Sequence, residues 1–137
     1  MNKQQERLFH LKQRGFEPTS IIDIGANVGQ WYEIAHRVFP DVDILSIEPN
    51  PPAYDILVTV NPNSEMLLMA YQAGDTVDFY VNENDDKCTG ASIYLEQTHH
   101  YDHPNVIELT TTTLDDLGER FDLIKVDVQG AEKDVLL

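Results

Sequence analysis

Asp23, Gly25, Asn27 and Gly29 recur at every second position in the stretch Ile21-Ile22-Asp23-Ile24-Gly25-Ala26-Asn27-Val28-Gly29-Gln30-Trp31. The apolar run before Gly25 reads as a buried strand, Gly25 to Gly29 with Ala26 between them as a small-residue turn, and the residues from Gly29 as the start of a helix. A strand, a tight turn and a helix N-terminus together make a cradle for a nucleotide or nucleoside. Gly25 and Gly29 bring a permissive backbone and close approach. Asn27 is one of the few residue types besides glycine that tolerates left-handed backbone angles. The dinucleotide fingerprint G-x-G-x-x-G fails, because its second and third glycines would fall on Asn27 and Gln30. A P-loop fails as well, since no Gly-Lys-Ser/Thr follows.

A second chemical residue lies downstream. The strand Asp43 to Ile47 ends in Glu48-Pro49-Asn50. An acid at the tip of the second strand, about twenty residues past the glycine turn, is placed to accept from ribose hydroxyls. A third acid, Asp127, closes the apolar run Phe121 to Asp127 and falls on the same carboxyl edge. Asp75, in the turn after a third strand, is placed either to accept from an adenine amino group or to serve as a plain turn residue. His99, His100, Asp102 and His103 cluster, but their spacing matches no metal motif, and no metal is expected. Cys88 is the single cysteine, so it forms no internal disulfide, and no partner pattern marks it as a nucleophile.

The elements that must hold these residues follow from periodicity. A helix is expected from about Gln4 to Arg14, with Leu8, Leu11 and Phe9 facing inward and Gly15 as its cap. Trp31, Ile34, Ala35 and Val38 form one helical face, ended by Pro40. Asn50 and Pro51 suit the start of the next helix, with Ala53, Ile56, Leu57 and Val60 inward and Asn61-Pro62-Asn63 as its stop. Glu65 to Ala70 reads as a third strand. Thr76 to Val81 reads as an antiparallel or edge strand, and Val106 to Thr112 as a further strand. Thr113 and Asp116 are spaced as a capping box, and Phe121 to Asp127 reads as a second buried parallel strand.

Composition sets outer bounds. With 137 residues the chain is read as one domain, 1–137, whose first 20 residues are a helix and lead-in. The 42% hydrophobic content is enough for a core. The net charge of −15, from 24 acidic and 9 basic residues, disfavours nucleic acid and anionic membranes as partners. The N-terminus is polar and no long apolar run follows, so a cytoplasmic location is expected.

Three segments share one further property. Asp23 to Trp31, Ile47 to Pro51, and Leu114 to Leu117 with Ile124 to Glu132 together resemble the FkbM family of methyltransferases dependent on S-adenosylmethionine. Gly90 to Ile93 resembles that family's central motif, and the turn itself resembles motif I of class I methyltransferases, whose ligand carries no pyrophosphate. The resemblance implies an α/β, Rossmann-like class I methyltransferase fold, with a mostly parallel sheet and flanking helices. It implies methyl transfer to a hydroxyl of a sugar, polyketide or similar small molecule. Asp23, Gly25, Ala26, Asn27 and Gly29 would hold the methionine part of S-adenosylmethionine, Glu48 and Pro49 the ribose, and the segment around Asp75 the adenine. Asp127 would line the site near the reactive methyl, as a base or an orienting group. The class I fold continues past the equivalent of Leu137 with a helix and three more strands. The C-terminal strands are therefore expected to be missing, and the open edge invites a homodimer. Two rivals stand beside this reading. One is a S-adenosylmethionine-binding or interaction module without turnover, and the other is a fragment of an NAD-dependent oxidoreductase, which the missing middle glycine disfavours.

Overall fold

Hydrophobic strands and amphipathic helices alternate along the chain, and they assemble as an α/β arrangement with a mostly parallel sheet. The structure is a computed structural model that describes residues 1–70, 73–81, 105–128 and 135. Cys88, the segment Gly90 to Ile93, the histidine cluster around His99 to His103 and the segment Gln129 to Glu132 lie outside the described residues.

In chain order the elements are α1 (Lys3–Gln13), β1 (Ser20–Ile24), α2 (Gln30–Val38), β2 (Asp43–Ile47), α3 (Pro51–Val60), β3 (Ser64–Glu65), β4 (Leu68–Met69), β5 (Thr76–Val81), β6 (Asn105–Thr112) and β7 (Leu123–Val126). A short 3-10 turn, Asp115–Leu117, precedes β7, and the amide of Asp116 donates to Thr113 Oγ1 at 3.1 Å, as the capping spacing predicts. The main sheet has the order β3-β2-β1-β7 and all its pairings are parallel. A second sheet, β4-β6-β5, pairs β5 antiparallel to β6.

Ile21, Ile22 and Ile24 are fully buried because β1 is central and covered on both faces. On one face Ile21 packs with Leu8, Trp31, Ala35, Val38, Phe39 and Ile44. On the other, Ile22 and Ile24 pack with Leu45, Ile47, Met69 and Val135. Each such aliphatic chain contributes roughly 1.5–3 kcal/mol by leaving water.

Helix ends follow local chemistry. Asn2 Oδ1 accepts from the amide of Gln5 at 2.8 Å and starts α1. Gly15, with φ of 95°, closes it, the amides of Gly15 and Phe16 donating to Lys12 and Leu11 carbonyls at 3.0 Å. Three expectations of inward faces fail. Phe9 and Leu11 are exposed, Leu8 being the buried residue of α1, and Ile56 is exposed, Ala53 and Leu57 being the buried residues of α3. Asn50 occupies the cap position of α3, yet its side chain makes no cap hydrogen bond. Pro51 and Pro52 fill the first two helical positions and bring no N–H, which removes one of the two amides a cap would bind.

Two strand expectations are also corrected. Residues Glu65 to Ala70 are not one strand. Ser64–Glu65 pairs with β2, whereas Leu68–Met69 pairs with β6 in the other sheet. Leu68 and Met69 are both buried but point into different clusters, so this segment joins the two layers. The strand before Asp127 is parallel, as expected, but not buried. Among the described residues it is the outer strand of its sheet, and Ile124 is 44% exposed.

The end of α3 is fixed by a buried polar knot. Asn61 Nδ2 donates to the Ile44 carbonyl and to Ser46 Oγ, both at 3.0 Å, while its Oδ1 accepts from the amide of Asn63 at 3.1 Å. Ser64 Oγ in turn donates to the Asn61 carbonyl at 2.6 Å. This knot sets β3 beside β2.

Candidate functional site

Strand order reverses at β1: the chain runs outward through β2 and β3 on one side, and returns to β7 on the other. Loops at the carboxyl ends of parallel strands diverge at such a point and leave a crevice, which is where ligands bind in open α/β sheets. Gly25 to Gly29, Glu48 and Asp127 all fall at that edge.

The glycine turn folds over the end of β2. The amides of Gly25 and Ala26 both donate to the Ile47 carbonyl at 2.9 Å. Asn27 takes the left-handed conformation expected of it, with φ of 53°. Its amide donates to Glu48 Oε1 at 2.8 Å, and the amide of Asn50 donates to Oε2 at 2.9 Å. Glu48 therefore latches the turn after β1 to the turn after β2. The carboxylate is only 7% exposed. Burial pushes its pKa up to about 7, against the pull of the Asn50 and Asn27 amides; the neighbouring Asp23 charge adds to the rise and Lys125 opposes it. Among the described residues each oxygen accepts one of these amides, of the two hydrogen bonds a carboxylate oxygen can accept. Pro49 lies beside it, half-buried.

Gly25 has a role that spacing alone did not reveal. A Cβ added there would sit 1.8 Å from the carbonyl oxygen of Asp127, with the backbone at φ of 81°. The Asp127 amide donates to the Ile24 carbonyl at 2.9 Å. The glycine thus admits the backbone at the end of β7, and so brings the turn and Asp127 together. Asp127 itself is exposed. Gly29 begins α2 with φ of 97°, and a Cβ there would lie 3.0 Å from Val60 of α3. Its freedom serves the packing of two helices at the edge of the site.

Asp23 is fully buried beneath the turn. Lys125, its register partner on β7, reaches Asp23 Oδ1 at 3.0 Å. Desolvation raises the pKa of Asp23 and the nearby Asp127 charge adds to this, while Lys125 opposes it by charge and hydrogen bonding. Two residues to which sequence reasoning gave no role in the site are thus drawn into this network, Lys125 and the buried Asn50. The signal for Lys125 was present: a lone lysine inside one apolar strand and a lone aspartate inside another are complementary when those strands pair.

Asp75 stands apart from this cluster. It is exposed in the second sheet, where its amide donates to Thr111 Oγ1 at 3.0 Å and its carbonyl accepts from the Thr111 amide at 2.8 Å. Among the described residues, no hydrogen bond or ion pair joins it to Glu48 or the glycine turn.

The acidic set suits a ligand with positive charge. Among the described residues two carboxyl groups, Glu48 and Asp127, stand at the edge, and Lys125 beside them is paired with the buried Asp23. A pyrophosphate would meet repulsion, whereas a sulfonium and an ammonium would not. In comparison with protein families, a model described as the methyltransferase FkbM domain matches residues 23–137. Comparison with curated proteins found no match. Comparison with solved structures found none either. No helix among the described residues is long and apolar enough to cross a membrane.

Proposed function

Given that the chain belongs to the FkbM methyltransferase family, we propose that it binds S-adenosylmethionine at the switch point between β1 and β7 and methylates a hydroxyl of a small molecule. The observation that carries this reading is the Glu48 carboxylate, buried at the end of β2 and holding the Asn27 amide of the glycine turn. The sheet order β3-β2-β1-β7 supports a Rossmann-like class for the fold.

Glu48 would accept from the two ribose hydroxyls. The Gly25 to Gly29 turn would hold the amino-acid tail, with Asp23 fixing the turn from below, and Pro49 would border the ribose. Asp75 is the candidate for the adenine amino group, which requires the second sheet to flank the crevice. Bound there, S-adenosylmethionine supplies a methyl group already activated by the sulfonium charge. Positioning then carries most of the rate enhancement. Asp127 is exposed at the edge, where it can orient the substrate hydroxyl or take its proton.

Calorimetric titration with S-adenosylhomocysteine, with NAD as control ligand, tests the reading. Saturable binding to S-adenosylhomocysteine but not NAD is expected, and Glu48→Ala should weaken it at least about tenfold through the loss of charged acceptors. A folded chain that binds neither, or prefers NAD, would overturn it.

A further inference from the structure

One cation touches three successive features of the glycine turn. Lys125 Nζ lies 3.0 Å from Asp23 Oδ1 in β1, 3.5 Å from the Gly25 carbonyl in the turn and 5.8 Å from the centre of the Trp31 ring in the first turn of α2. Lys125 also stands two residues before Asp127, on the strand whose end presses against Gly25. Its side chain is 20% exposed and that of Asp23 is 0% exposed, so the aspartate depends on this partner far more than the lysine does. Asp23 Oδ2 has no hydrogen-bond partner among the described residues.

We propose that Lys125 is a positioning residue for the cofactor turn, acting through the Asp23 carboxylate and the Gly25 carbonyl; the proposal rests on the cofactor reading above. The ammonium neutralises a carboxylate that burial would otherwise force to take a proton. In doing so it fixes the Gly25 peptide and, over the ring of Trp31, the start of α2. Among the described residues, the charged groups around Asp23 are Lys125 and Asp127 from β7 and Glu48 from the end of β2. Removing Lys125 leaves Asp23 with negative neighbours among the described residues. At high pH the turn then sits on an unpaired buried charge, and at lower pH Asp23 is protonated and the defect eases.

The test is calorimetric titration of wild type, Lys125→Met and the double variant Asp23→Asn/Lys125→Met with S-adenosylhomocysteine, at about pH 6 and about pH 8. Glu48 titrates in all three chains, and the double variant loses both the Asp23 charge that raises its pKa and the Lys125 charge that lowers it, so that chain is the control for this titration. Lys125→Met is expected to bind about tenfold more weakly at the higher pH, with a smaller deficit at the lower. The double variant carries no charge at either member of the pair and should return to within about threefold of wild type at both. A Lys125→Met chain that tracks wild type at both pH values overturns the proposal. So does a double variant as weak as the single one, which would assign Lys125 a packing role only. Should Lys125→Met fail to fold, a double variant that folds and binds near wild type supports the proposal, and one that also fails to fold overturns it. A folded wild-type chain that takes no S-adenosylhomocysteine refutes the cofactor reading instead, and this proposal with it.

Discussion

Strands β1 and β7 are joined at both ends, and the two joints differ in kind. At the amino end Asp122 Oδ2 accepts from the Thr19 amide at 2.7 Å and from Thr19 Oγ1 at 2.9 Å, and Ser20 Oγ donates to the Arg120 carbonyl at 2.8 Å. All of this lies in water. At the carboxyl end the fully buried Asp23 carboxylate meets Lys125, and the Gly25 backbone meets that of Asp127 with no room for a Cβ. Solvent can replace any partner lost from the first joint, so each member contributes little. In the second, water does not reach the Asp23 carboxylate to replace a lost partner. The end that carries the candidate site is therefore the end where each atom is costly to change, and the two ends should respond to substitution and to pH in opposite ways.

Gly25→Ala is the most severe way to break the carboxyl-end joint. The new methyl would overlap the Asp127 carbonyl at 1.8 Å, at a backbone angle of 81° that alanine rarely adopts. Backbone cannot give way as a flexible side chain can, so β7 must part from the turn. A loss above about 4 kcal/mol is expected, enough to unfold many domains of this size. Urea unfolding followed by circular dichroism reads it directly. A Gly25→Ala midpoint near that of wild type would show that the turn and Asp127 are not in contact.

Glu48 sharpens the comparison through pH. Its folded pKa, about 7, lies above the ordinary 4.5, so the folded state binds the proton more tightly than the unfolded one. The stability this provides is complete below pH 4.5 and is lost as pH rises through about 7. The span from 4.5 to about 7 corresponds to about 3 kcal/mol. Glu48→Gln does not titrate and serves as the reference. The difference in unfolding free energy between the two chains should shift against wild type by that amount from about pH 5 to about pH 8. A constant difference would mean that the Glu48 carboxyl is already ionised at the lower pH and is less buried than described.

The site was legible wherever one residue type solves one local problem. Asn27 announced its left-handed angle and Glu48 its place at a strand tip, because both depend on near neighbours in sequence. Gly25 was legible as a glycine but not for its reason, since the atom that forbids a side chain belongs to Asp127, a hundred residues on. Lys125 went unread on the same ground: an ion pair between strands exists only once their register is fixed. The third strand failed differently. Residues Glu65 to Ala70 are evenly apolar enough to read as one strand, and only the presence of a second sheet splits them. Leu11 and Ile56 satisfied helical periodicity but fell outside the narrow strip that packing covers, and periodicity does not say how wide that strip is.

Asp122 gives the weakest effect, and its sign is the reverse of that of Glu48. Hydrogen bonds from the Thr19 amide and hydroxyl hold its carboxyl below the usual 3.8, with smaller help from the Ser20 amide and Arg120. A depressed folded pKa means the unfolded state binds the proton more tightly, so the stability it gives is present above pH 3.8 and is lost as pH falls through the folded value. Asp122→Asn keeps the size but accepts more weakly from Thr19, and should show the smallest loss of midpoint at neutral pH. Its distinguishing mark is on the acid side, where wild type gradually loses its advantage over the variant. Because water already surrounds this joint, cofactor affinity should not change. If Asp122→Asn weakened S-adenosylhomocysteine binding as strongly as a change at Asp23, the two ends of the β1 and β7 pair would be coupled rather than distinct, and the site would depend on the whole length of those strands rather than on their carboxyl ends.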